Sequence, residues 1–140
     1  MNQDLILLPL FAMFLLTFSV GLWMLKLRFK AVKEDNLNPS YFLLNKGAKL
    51  PDYLAKVTNH YTNLFEFPVL FYVVCLILYA GHKVDSLYVV LAWAFVVARF
   101  IHAYIHTTHN ILKQRMLAFL VSSLILFCIW ARLLIQVVSV

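Results

Sequence analysis

Residues 87–107 read LYVVLAWAFVVARFIHAYIHT. Coiled as a helix, this run is about 31 Å long. The hydrocarbon core of a bilayer is about 30 Å thick. Arg99, His102 and His106 interrupt the apolar character, and they recur at i, i+3 and i+7. That spacing puts them on one helix face. The segment therefore reads as a membrane-spanning helix with a single polar stripe. A lone strand is excluded, because lipid leaves its backbone groups unsatisfied.

Working outward, three more apolar runs occupy about 5–27, 57–80 and 116–138. The expectation is an all-α, integral membrane four-helix bundle, a single domain over residues 1–140. Composition agrees. Of 140 residues, 64% are hydrophobic and 13% charged, and the mean hydropathy is +0.85. Soluble domains are about 45–50% apolar and about 25% charged. A soluble globule of this composition would show water large apolar patches. Intrinsic disorder is excluded by the same excess, and three glycines exclude a collagen-like chain. Asp4 stands where a secretory leader needs basic residues, so the first run reads as a span.

The net charge of +6 is read as topology, not as nucleic-acid binding. Lys26, Arg28, Lys30, Lys33, Lys46, Lys49 and Lys56 cluster in and around segment 28–56, and Lys113 and Arg115 lie in the third loop. The second loop holds Lys83 alone. Basic loops stay in the cytoplasm, so both termini are expected on the non-cytoplasmic side. Segment 28–56 carries turn signals and reads as a cytoplasmic loop. Cys75 and Cys128 lie within apolar runs and define no disulfide framework.

Polar residues inside spans carry the functional signal, since a charge at mid-bilayer costs at least about 2.5–3.5 kcal/mol. Asn59, Asn63 and Glu66 share one face of the second span. Glu66 lies about 14 Å, and Arg99 about 12 Å, from the same end of their helices. The two are expected to interact. Pro68 follows Glu66 closely and is expected to kink the helix. The stripe Arg99, His102, His106, His109 contains no carboxylate and no HExxH pattern. It reads as hydrogen-bonding histidines near a basic pocket, with no metal site. Ser122 and Ser123 read as bonded to their own helix backbone or to a facing helix.

Asn63-Leu-Phe-Glu66-Phe-Pro68, then Arg99-Phe-Ile-His102-Ala-Tyr-Ile-His106, then Arg115, form an ordered set. With Lys26-Leu-Arg28-Phe-Lys30 ending the first span, this set resembles the MAPEG family, membrane-associated proteins in eicosanoid and glutathione metabolism. The chain looks like a divergent member of bacterial type, which would place it in an inner or plasma membrane. The resemblance implies a homotrimer with glutathione held between subunits. It implies Lys26, Asn63, Glu66, Arg99, His102 and His106 as glutathione-binding residues, and Arg115 as the catalytic stabiliser of the thiolate. It implies a transferase or peroxidase acting on a lipophilic small molecule. Departures are also visible. Tyr61 and Thr62 precede Asn63 where members often carry an arginine. His106 stands at a family tyrosine, and Met116 and Phe119 occupy places where some members have hydroxyls. The alternative is a non-enzymatic bundle of the same fold that binds a lipid, another small anion or a membrane partner.

Overall fold

The computed structural model describes residues 2–139. A 3-10 turn, Gln3–Ile6, leads into α1 (Leu7–Glu34). A short α2 (Tyr41–Leu44) precedes α3 (Asp52–Asn63) and α4 (Phe67–Ala80). Then come α5 (Ser86–Thr107) and α6 (Leu112–Val138). No strand occurs among the described residues. Four helical stretches are long and apolar enough to cross a membrane: Gln3–Glu34, Asp52–Ala80, Ser86–Thr107 and Leu112–Val138.

Hydropathy alone stops these helices too soon. α1 runs on to Glu34, α2 lies within segment 28–56 and α3 begins at Asp52, so that segment is partly helix, and α6 likewise begins early at Leu112. The reason is that Lys, Arg and Glu end an apolar run without ending a helix, since all three are good helix formers. The second stretch departs from a simple kink. α3 stops at Asn63 and α4 starts at Phe67, with Glu66 between them at φ −96° and ψ −100°. Proline clashes with the carbonyl four residues earlier, which here is that of Leu64. Pro68 consequently sits in the first turn of a new helix, where its missing N–H costs nothing.

α5 is the most buried of the four long helices. Its Ala92, Ala98 and Ala103 are buried, and small residues let membrane helices approach closely. Phe95 stacks on Phe71 of α4 with ring centroids 4.4 Å apart. Met13, Leu16 and Val20 of α1 and Leu126, Ile129 and Leu133 of α6 close the core. Outside it, Phe11, Phe18, Phe127 and Ile135 are all more than half exposed. An apolar rim of this kind suits lipid and would not suit water.

One end of the bundle is fastened by polar groups. Gln3 donates to the Val84 carbonyl at 3.2 Å and accepts from the Val84 N–H at 2.9 Å. Asp85 caps α5 by accepting from the Tyr88 N–H at 3.0 Å. Arg132 of α6 grips the same carboxylate at 2.9 and 2.5 Å, a bidentate pair. Its hydrogen bonds hold the Asp85 carboxyl below the usual carboxylate range. The Arg132 guanidinium also lies 4.1 Å from the Tyr88 ring centroid, and Tyr88 donates to Gln136 at 2.9 Å. α4 ends in a Schellman turn with His82 left-handed at φ 52° and Lys83 N–H bonded to Leu78 O. The N-terminal turn, the α4–α5 turn and the end of α6 thus share one end. The loops after α1 and α5 lie at the other.

Candidate functional site

At that other end the helix break and the polar stripe of α5 meet. Arg99 is fully buried. Its Nη2 donates to Oδ1 of Asn63. The amide of Asn63 in turn donates to Glu66 Oε2 at 3.3 Å. The expected Glu66–Arg99 interaction therefore runs through Asn63 and is not a direct ion pair. The physical reason lies in the break: it carries Glu66 out to the rim, where it is exposed, while Arg99 stays inside. Arg99 keeps Nε and Nη1 without a protein hydrogen-bond partner. A buried guanidinium in that condition demands acceptors.

His102 and His106 are buried on the same α5 face, as their spacing implies. They are joined by His60 of α3, which is fully buried. The ring centroids are 5.4 Å apart for His60–His102, 5.2 Å for His60–His106 and 5.5 Å for His102–His106. Both nitrogens of His60, and Nδ1 of His102 and His106, lack a protein partner. Among the described residues no group of three or more His, Cys, Asp or Glu could hold a metal ion. His109 stands apart from the cluster. It lies beyond the end of α5, exposed, and its Nε2 pairs with Gln114 at 2.8 Å.

A cleft of about 520 Å³ opens above this cluster. Its polar wall is Asn59, Asn63, Glu66, His102, His106 and Arg115, and its apolar wall is Met116, Phe119 and Leu120. A smaller cavity of about 300 Å³ shares Asn59, His106 and Arg115 and continues toward Asp52 and Lys56. Arg115 stands where the two meet. Its Nη1 donates to Oδ1 of Asn110 at 3.0 Å. Asn110 adopts the left-handed region at φ 51° in the α5–α6 turn, a conformation asparagine tolerates better than most residues. Lys56 donates to the Thr108 carbonyl at 3.0 Å and ties the start of α3 to the same turn.

Of the sequence-predicted residues, Asn63, Glu66, His102, His106 and Arg115 line one cleft. Arg99 lies behind Asn63. Lys26 lies elsewhere: it is exposed on α1 and does not line the cleft. Ser122 and Ser123 both donate to the Phe119 carbonyl at 2.8 Å, the first of the two alternatives read from sequence. Tyr104 is 66% exposed and supplies no hydroxyl to the cleft. Two contributors escaped the sequence reading. His60 lies one turn before Asn63; it stands out as a polar residue of the second span, but its spacing does not put it on the face of Asn59, Asn63 and Glu66. Asn110 reaches Arg115 through a turn geometry that no periodicity reveals.

The chain matches the family model described as MAPEG family over residues 6–135. That covers nearly the whole chain, and the protein belongs to the MAPEG family. No curated protein and no solved structure gave a match. Membership and the four long apolar helices make this a multi-pass membrane protein. They point to a role related to glutathione or eicosanoids.

Proposed function

We propose that the chain binds glutathione in the cleft beside the α3–α4 break and presents its thiolate to lipophilic electrophiles arriving from the bilayer. The carrying observation is the gathering of Asn63, Glu66, His102, His106 and Arg115 around one cleft with an apolar wall. Glutathione has two carboxylates and one ammonium. Arginine and imidazole donors suit the carboxylates, and Glu66 suits the ammonium. Arg99 orients Asn63 from behind. Arg115, between polar and apolar walls, is the group to stabilise sulfur as thiolate, since a cationic neighbour lowers a thiol pKa. The thiolate then forms a carbon–sulfur bond and the leaving group departs with its electron pair.

The proposed assembly is a homotrimer in which the adjacent copy brings its Lys26 to the cleft. The Lys/Arg-rich loops, and so the cleft mouth, face the cytoplasm, with both termini opposite. The test is a glutathione titration of the detergent-purified protein, following thiolate absorbance and conjugation of an aryl halide. Neither signal at millimolar glutathione, with the oligomer intact, sinks the reading. A second reading is favoured by one observation: Met116 and Phe119, without any hydroxyl, flank Arg115 in the cleft. In that reading the cleft binds a lipid or other small anion, or the bundle serves a membrane partner, without turnover. Binding of glutathione without conjugation would select it.

A further inference from the structure

His60 occupies a core position of α3. Val57, one turn before it, and Leu64, one turn after it, are buried as it is, and both share its face. An apolar side chain would satisfy that position, whereas a buried imidazole without hydrogen bonds is costly. Neither His60 nitrogen has a protein partner, and His60 does not line the cleft. Its ring backs the two that do, with centroids 5.4 Å from that of His102 and 5.2 Å from that of His106.

His102 and His106 each have two unlike sides. Their rings are nearly parallel, 14° apart, and both line the cleft. Nδ1 of each is buried without a protein partner, and Nε2 of each is not among those buried atoms. Nδ1 thus lies on the inner side and Nε2 on the cleft side. A neutral imidazole carries one N–H, and the hydrogen bond made at one nitrogen decides which nitrogen holds it. Donors crowd the inner side. Arg99 keeps Nε and Nη1 unpaired and can only donate, and a neutral His60 adds one N–H. The two Nδ1 atoms are the acceptors facing them.

We propose that His60, aided by Arg99, fixes His102 and His106 as their Nε2–H tautomers through a shared buried water. A water that accepts from His60 and donates to both Nδ1 atoms has the three partners typical of buried water. The cleft wall then carries two outward N–H donors, which suit a carboxylate and repel an ammonium. His60 is a positioning residue: it sets which end of a zwitterionic tripeptide lies over the histidines. That consequence rests on the glutathione reading above, and the tautomers themselves do not.

The experiment is nitrogen NMR of the full chain in detergent micelles, with isotope-labelled histidine rings and no ligand, at about pH 8, above the range where an imidazole is ordinarily charged. His102→Gln and His106→Gln assign the signals. Native His102 and His106 should each show a proton on Nε2 and none on Nδ1. His60→Leu should leave a mixture of tautomers, and His60→Gln, which keeps an N–H donor, should keep Nε2–H. In glutathione titrations His60→Leu should raise Kd about tenfold, the lower end of what one hydrogen bond to a charged group supplies. Its kcat at saturation should change less than about twofold, because Arg115 is untouched. A proton on Nδ1 of either ring in the native chain would overturn the proposal, with no substitution in the cluster core required. So would Nε2–H tautomers unchanged in His60→Leu. Nε2–H tautomers that depend on His60, in a chain that does not bind glutathione, would support the positioning role and sink the glutathione reading alone.

Discussion

Asn63 joins a buried cation to an exposed carboxylate, and removing it should cost more than one hydrogen bond. Asn63→Ala deletes the acceptor of Arg99 and the donor of Glu66. A hydrogen bond to a charged group contributes about 1.5–3 kcal/mol. Arg99 is fully buried and has no other protein acceptor. Stranding a buried charge costs about 3–5 kcal/mol when nothing relaxes. The expected loss is about 3 kcal/mol, or about 9 °C in Tm for a chain of this size. Arg99→Met removes the charge together with its need for a partner, and Asn63 keeps Glu66. That change should cost only about 1 kcal/mol. The double variant should then be close to Arg99→Met alone, leaving a coupling of about 3 kcal/mol. The assay is reversible unfolding in mixed micelles without ligand, followed by circular dichroism. A coupling below about 0.5 kcal/mol would refute the reasoning. A second arm places Glu66→Gln in the Asn63→Ala background. If Glu66 and Arg99 remain fully coupled there, the relay through Asn63 is wrong.

Other expectations follow from the same geometry. Asn110→Ala should loosen Arg115, lowering kcat for conjugation about five- to tenfold while glutathione affinity changes less than about twofold; steady-state kinetics beside equilibrium titration separates the two. Asp85 has a folded-state pKa below its unfolded value of about 3.9. Its stabilisation is present above that value and is lost as pH falls through the folded pKa. Asp85→Asn should flatten this acid limb in Tm measured against pH, and an unchanged limb would count against the Arg132 pair. His82→Gly should raise stability by about 0.5–1 kcal/mol, because His82 sits left-handed at a helix C-terminus where glycine carries no steric penalty.

The four long helices were legible because lipid imposes a simple rule: about twenty apolar residues per crossing. The inward stripe of Arg99, His102 and His106 was legible for a related reason. Polar side chains in a greasy helix must share a face, and 3.6-residue periodicity states which. The family was readable from Asn63, Glu66, Arg99 and Arg115 in order. What escaped depends on neighbours in space. Pro68 announced a disturbance, but whether the chain bends or breaks depends on how Leu64 and Phe65 are held. Depth along two helices put Glu66 near Arg99, yet only the break shows Asn63 between them. His60 lies off the line through Asn59 and Asn63, and only the packing of α3 on α5 brings it to His102.

The break after Asn63 makes α3 a lever. The helix is about 18 Å long, with its pivot at Leu64–Glu66 and its far end at Asp52. A swing of about 5° about the pivot moves that arm about 1.6 Å. That end is held by the tether from Lys56 to the Thr108 carbonyl, by the hydrogen bond from Tyr53 to Asp35, and by Leu54 and Val57, which are fully buried. Asn63, next to the pivot, barely moves, so Arg99 keeps its partner. α4 stays clasped through the Phe71–Phe95 stack. Any movement of that arm is therefore resisted at Tyr53, Leu54 and Val57, while the break leaves Asn63 and its bond to Arg99 at the pivot. The same break that exposes Glu66 thus leaves the loop end of the cleft walled by a helix whose two ends are fastened independently.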